Sequence, residues 1–225
     1  MKLAKDCLDV GVQTNNREAM LAFWGEEVGL PYDELLKVGG GNHQHRHSMN
    51  GSIFKLNHLR DALPSDDPTG YSELLIGRDD ITAPRTLLDP DGNRVTLVPR
   101  GHDDVDRIGI VMTVRSIDTF TRFYREVLQL EQLADNRFLW GTTVIRLNED
   151  ASHAPSASMR GVGYRYITVQ VWDVDAEHAG VLERGGTEGR APVTLGTTAR
   201  ISFITDPDNN WIEVSQRASL TGTLD

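Results

Sequence analysis

Alternation along three apolar stretches places several reactive side-chain types on common faces. In TTVIRLN one face carries Val144, Arg146 and Asn148; in YRYITVQV one face carries Tyr164, Tyr166, Thr168 and Gln170; in WIEVS one face carries Trp211 and Glu213. Brought together, these would form a pocket for a small aromatic or conjugated carbonyl compound. Tyr164 and Trp211 would supply flat apolar walls, with Asn148, Thr168 and Gln170 as polar anchors. Arg146 would grip a carboxylate or enolate, Tyr166 would offer a hydroxyl, and Glu213 would move a proton as a base. Arg146 and Glu213 could equally neutralise each other in a structural core.

A second face gathers Asp9, Gln13, Arg46, Lys55, Asn57, Tyr71, Glu73, Arg94 and Thr96. Asp9, Lys55 and Glu73 are its candidate site residues, because carboxylates set among cations often divide acid and base roles. The alternative is a group of solvated ion pairs. Asn50-Gly51 between HQHRHSM and SIFKLNH predicts a two-residue hairpin turn, pairing 49 with 52, 47 with 54, 45 with 56 and 43 with 58. His43, His45, His47 and His58 then share a face with Phe54 and Leu56, opposite Gln44, Arg46, Lys55 and Asn57. Histidines two apart could chelate a metal; otherwise they form a polar or interface face.

A repeat positions these faces. Residues 9–30, DVGVQTNNREAMLAFWGEEVGL, align without gaps on residues 109–130, GIVMTVRSIDTFTRFYREVLQL. Each reads as a short strand, a polar turn and an amphipathic helix. The apolar stripes are Met20, Phe23, Trp24 and Val28, and Ile117, Phe120, Phe123, Tyr124, Val127 and Leu128. DPDGNRVTL from Asp89 matches DPDNNWIEV from Asp206 as a tight turn feeding a final strand, with Gly92 and Asn209 where positive φ is needed. Further strands are predicted over 71–76 and 164–171, and a helix over 173–183 closed by Gly185-Gly186. The first half has no counterpart of that helix. Residues 98–107 read as a linker, 149–163 as a loop, and 187–200 as a loop able to close over a pocket.

Strand, helix and three strands, repeated, with FW or FY on the helix and DPDGN or DPDNN before the last strand, resembles the vicinal oxygen chelate superfamily. That superfamily includes glyoxalase I, extradiol dioxygenases, methylmalonyl-CoA epimerase, and the bleomycin- and fosfomycin-resistance proteins. The resemblance implies an α+β fold of two tandem domains built from βαβββ modules. Curved mixed sheets would form cups with helices outside, the first half being shortened. Residues 1–99 would be the N-terminal domain, 107–218 the C-terminal domain and 219–225 a tail. The resemblance also implies positions for metal ligands: Asp9, Glu73 and Thr96 in the first half, and Gly109, Tyr166 and Glu213 in the second. Against a His, His, Glu triad only Glu213 matches, so no metal cofactor is expected. The alternative is Fe, Mn or Zn held by Glu213 or by His43, His45, His47 and His58. The second half keeps the helix, the closing loop and Glu213, so its cup is the expected functional one.

Composition narrows the partners. Hydrophobic residues at 39% and charged residues at 25% describe a globular chain. With 23 Lys and Arg against 33 Asp and Glu, the net charge of -10 disfavours nucleic acid and anionic membranes. Charges interrupt every apolar run well before the roughly 20 residues of a membrane helix. MKLAKDCLDVG has no apolar export segment, and Cys7 is the single cysteine. A cytoplasmic protein binding a small molecule is expected, as a homodimer whose His-rich hairpin pairs with a second chain at a sheet edge. The expected function is an acid–base isomerase, cyclase or lyase. The alternatives are a non-catalytic, resistance-type binding protein and a metal-dependent dioxygenase or lyase with atypical ligands.

Overall fold

The computed structural model describes residues 1–65 and 68–224. Its first module runs β1 (Asp9–Thr14), α1 (Arg17–Ala22), β2 (Tyr32–Lys37), β3 (Asn42–Met49) and β4 (Ser52–Leu59). The second has β5 (Tyr71–Arg78), β6 (Arg85–Leu88) and β7 (Arg94–Pro99), without a helix. The third restores it: β8 (Ile108–Val114), α2 (Ile117–Arg122), β9 (Glu131–Ala134), β10 (Arg137–Trp140) and β11 (Thr143–Glu149). The fourth runs β12 (Gly163–Gln170), α3 (Val174–Glu183), β13 (Thr187–Leu195), β14 (Ala199–Thr205) and β15 (Trp211–Arg217), ending in a short α4 (Ala218–Thr221). This is the repeated modular fold anticipated above, with the shortening in the second module.

Local chemistry explains the elements that were legible. Asn50 and Gly51 take φ of 51° and 88°, and the β3–β4 hairpin has the predicted register throughout. Asp89 accepts hydrogen bonds from the backbone N–H of Asp91 and Asn93 and from the Asn93 amide. Asp206 repeats the pattern with Asp208 and Asn210, so each Asp-Pro-Asp turn is tied by its own first carboxylate. Asp173 caps α3 by accepting from Ala176 N–H, and Gly185 turns the chain out at φ 88°. Both α1 and α2 widen into a π turn, at Phe23–Glu27 and Phe123–Val127. That keeps Met20, Phe23, Trp24 and Val28, and Phe120, Phe123, Tyr124 and Leu128, buried in one core.

The sheets do not follow the two halves of the chain. One has eight strands ordered β13-β14-β15-β12-β1-β4-β3-β2, and the other seven ordered β6-β7-β5-β8-β11-β10-β9. Each joins one module from each half: first with fourth, second with third. The join is antiparallel, β1 on β12 and β5 on β8. A continuous core containing Val10, Val12, Ile110, Met112, Ile167 and Ile212 packs behind both sheets and under the helices.

Two expectations fail here for stated reasons. Residues 187–200 form β13 and its turn into β14 instead of a closing loop, because β14 offers them an antiparallel partner. The histidine hairpin is not a sheet edge, since β2 pairs along β3 and β1 along β4. Residue 225 of the expected tail lies outside the described residues. No helix among the described residues is long and apolar enough to cross a membrane.

Candidate active site

Cross-strand rows build the floor of the eight-stranded cup. Arg46 pairs with Lys55, Lys55 with Gly11, Gly11 with Tyr166 and Tyr166 with Trp211. On one side of this row lie Asp9, Thr168, Glu213 and Phe203, again in register. On the other lie Gln44, Asn57 and Gln13. The cavity above them has a volume of about 620 Å³ and is also bounded by Leu36, Met159, Ile201 and Phe203.

Glu213 is the centre of a hydrogen-bonded triangle. Its Oε2 accepts from Lys55 Nζ at 3.0 Å and from Thr168 Oγ1 at 2.7 Å, while Lys55 Nζ also donates to Thr168 Oγ1 at 2.6 Å. The ammonium lies 5.4 Å from the Tyr166 ring centre, a cation–π distance. Asp9 sits beneath, wholly buried, accepting from Ile53 N–H at 2.8 Å and Gln170 Nε2 at 3.3 Å and ion-paired with Lys5. Burial works to raise its pKa, but the positive charges of Lys55 and Lys5 outweigh that and hold it below the usual carboxylate value.

Tyr166 owes its position to a missing side chain. A Cβ on Gly11 would lie 2.2 Å from a Tyr166 ring carbon, so only glycine lets the ring cross β1. The hydroxyl oxygen then accepts from Asn57 Nδ2 at 3.1 Å and Gln44 Nε2 at 3.4 Å. Asn57 Nδ2 also donates to the carbonyls of Val12 and Lys55, which fixes the amide's orientation. With its oxygen already accepting, Tyr166 has its own O–H to offer a ligand. Burial first, and the charge of Glu213 second, raise its pKa and keep it protonated.

The loop over this cup is 150–162. Met159 lines the cavity and packs with Ile201 and Phe203. Gly161 N–H donates to Gln13 Oε1 at 3.2 Å, and Trp211 Nε1 donates to the Ala157 carbonyl at 2.8 Å.

The structure therefore regroups the sequence-derived sites. Tyr166, Thr168, Gln170, Trp211 and Glu213 stay together and gain Asp9 and Lys55. Arg146, Asn148 and Glu73 belong to the seven-stranded sheet, because β11 pairs with β8 and β5 with β8. Arg146 is thus not Glu213's partner; it lies 3.9 Å from Glu73 and 3.3 Å from Asp103, while Asn148 is exposed near its strand's end. Tyr164 faces the core, not the cup. A bulge between Gly11 and Val12 in the β1–β12 register sets Tyr164 opposite the core residue Val12. The matching shift on β5 turns Tyr71 inward too.

The seven-stranded cup is filled. Leu75, Val98, Val111 and Val144 close around Val105 of the linker. Linker residues Asp103 and Asp104 pair with Arg146 and Arg137. His43, His45, His47 and His58 lie on the far face of their hairpin from the eight-stranded cup; the Tyr32 hydroxyl is 3.3 Å from His45 Nδ1 and its ring is edge-on to His47.

Residues 106–214 match the family model of the Glyoxalase/Bleomycin resistance protein/Dioxygenase superfamily. The match is confined to the second half, and there the chain is similar to this superfamily. Among solved structures, a glyoxalase I mutant from Zea mays aligns with a TM-score of 0.75 at 16% identity, over 100% of this chain and 96% of that one. A candidate dioxygenase from Bacillus subtilis aligns with a TM-score of 0.68 at 12% identity, over 96% and 85%. At these identities the likeness is one of fold. No curated protein matches the sequence significantly.

The divalent metal that the superfamily resemblance implies does not fit this cup. Glu213 is already engaged by an ammonium and a hydroxyl, and Asp9 by Lys5, a backbone N–H and an amide. A cation beside Lys55 Nζ would meet a like charge within contact distance. Among the described residues no three His, Cys, Asp or Glu side chains are placed to hold a metal ion.

Sequence reasoning missed Arg217 and the apolar wall of Ile201 and Phe203. The alternation that puts Glu213 and Ser215 into a cup continues to Arg217, and that was the available signal.

Proposed function

We propose that the eight-stranded cup is the active site of an acid–base enzyme acting on a small aromatic or conjugated carbonyl compound. What carries this reading is the Lys55–Glu213 pair on the floor of the cup, next to a protonated tyrosine and inside a ligand-sized cavity. Glu213 would remove a proton from the carbon next to the carbonyl. Lys55 Nζ and the Tyr166 O–H would receive the charge that develops on the carbonyl oxygen. Returning the proton to another carbon gives isomerisation; attack of the enolate on an electrophilic carbon of the same molecule, with the proton passed to the anion so formed, gives cyclisation; expulsion of a leaving group from the adjacent carbon, with the proton passed to it, gives a lyase. Met159 and Trp211, joined to the 150–162 loop, would keep water from the intermediate.

The test is exchange of substrate carbon-bound hydrogen with deuterated water across aromatic ketones, enones and keto acids, followed by NMR. Wild-type protein should catalyse exchange, and Glu213→Gln should slow it by about a hundredfold or more. Exchange surviving within about tenfold in that variant would remove Glu213 from the role.

A second reading is a non-catalytic binding protein. It is favoured by the closure of the Lys55–Thr168–Glu213 triangle, which leaves each group satisfied without substrate. Ligand bound tightly but recovered unchanged and unexchanged would select it. In either case we place the protein in the cytoplasm as a homodimer, with the edge strand β2 and its exposed Tyr32 and Leu35 as contact. Sedimentation as a single 25.0 kDa species would exclude that assembly.

A further inference from the structure

The charge inside the cup runs against the charge of the chain. Net charge is -10, yet Lys37, Arg46, Lys55, Arg190 and Arg217 line the cavity against the single carboxylate of Glu213. Lys55 and Glu213 neutralise one another, so the surplus belongs to the other four. Two of these are drawn into the cup. Arg46 is buried; its Nε is ion-paired with exposed Glu34 at the rim at 3.4 Å without making a hydrogen bond, and its Nη1 donates to Gln44 Oε1 at 3.4 Å. Arg217 is half-buried, and its guanidinium makes no hydrogen bond or salt bridge among the described residues. Burial, and next the positive charge of Arg46, hold Arg217 below the ordinary guanidinium value, against the smaller opposing influence of Glu213, Glu34 and Asp9.

Two guanidinium groups share a partly desolvated cavity with one exposed rim carboxylate, Glu34, paired to Arg46 and none among the described residues paired to Arg217, a surplus of positive charge that an anionic ligand would offset. We infer that the ligand of this cup carries an oxyanion, a carboxylate or phosphate, held by Arg46 and Arg217, on an apolar body lying against Ile201, Phe203 and Met159. Guanidinium forks suit both headgroups. The cationic lining focuses the field within the cleft, so an overall acidic protein still attracts an acidic ligand. The inference rests on the eight-stranded cup being the ligand site. It adds that the molecule is an amphiphilic acid, anchored at a point separate from the Glu213–Lys55 pair.

Ligand-observed NMR titration of the full chain with 3-phenylpropionate, phenyl phosphate and uncharged 3-phenylpropionamide tests it. At least one anion should bind about tenfold more tightly than the amide, and the better anion identifies the headgroup. Arg217→Gln should weaken anion binding by about tenfold and leave the amide unchanged; Arg46→Gln, with its fold checked by circular dichroism, should do the same. Glu213→Gln should keep or tighten anion binding, so loss of proton transfer and loss of anion recognition read out separately. Equal binding of amide and anions, no effect of either arginine substitution in folded protein, or no anion binding at about 10 mM would each overturn the inference.

Discussion

Lys55 Nζ lies 3.0 Å from Glu213 Oε2 although 158 residues separate them in sequence. The first module supplies the cation and the last supplies the carboxylate, and both side chains are nearly buried. Removing one partner leaves the other charge uncompensated in a low-dielectric site, which costs more than the pair contributes. Lys55→Met should lower stability by about 3 kcal/mol in denaturant unfolding, and should abolish proton exchange. Unchanged stability would show that Glu213 finds another partner.

Gly11→Ala should be more damaging than its single methyl group suggests. The new Cβ meets the Tyr166 ring at 2.2 Å, so ring or strand must move, at about 1–3 kcal/mol. Tyr166→Ala combined with Gly11→Ala should be less destabilised than the two single losses added together. Strict additivity would show that the ring does not rest on Gly11.

Arg146→Gln should leave ligand binding and proton exchange within about threefold of wild type, because Arg146 is paired with Glu73 of the other sheet and with Asp103 of the linker. Val105→Asp, by contrast, puts a charge among Leu75, Val98, Val111 and Val144 and should cost about 3 kcal/mol or more. A large activity loss on Arg146→Gln would couple the two cups.

His47 should make the protein acid-labile. Burial, with a smaller push from His45, lowers its pKa to about 4, so between about 6.5 and 4 the unfolded chain binds a proton that the folded one does not. Stability therefore falls as pH drops through that window. Asp206, which burial pushes up to about 7, acts with the opposite sign over an overlapping range, so the variant difference is the measure. His47→Phe, keeping the contacts with Tyr32 and Phe54, should lose less stability than wild type between pH 6.5 and pH 4. Parallel pH profiles would contradict this.

Much of the architecture was legible because it is written locally. The Asn50-Gly51 turn fixes a register, the two Asp-Pro-Asp turns tie themselves, and helix stripes declare their buried face. The site was only half legible. Glu213, Thr168 and Tyr166 follow from alternation in the second half, but their partner Lys55 depends on which strand edge meets β12, and no local pattern records that choice. Tyr164 was misplaced because one unpaired residue in a bulge reverses the parity that alternation assumes.

Nesting the second and third modules between the first and fourth gives the chain an order of completion. As it leaves the ribosome, the inner pair can close as soon as β11 emerges, since the strands of the seven-stranded sheet, β5 to β11, form one uninterrupted run of the chain. β1 must wait for β12, about 150 residues later, with its pairing edge open meanwhile. The eight-stranded cup is thus the last part of the molecule to exist, and a chain cut between its halves would carry two incomplete walls and no cup.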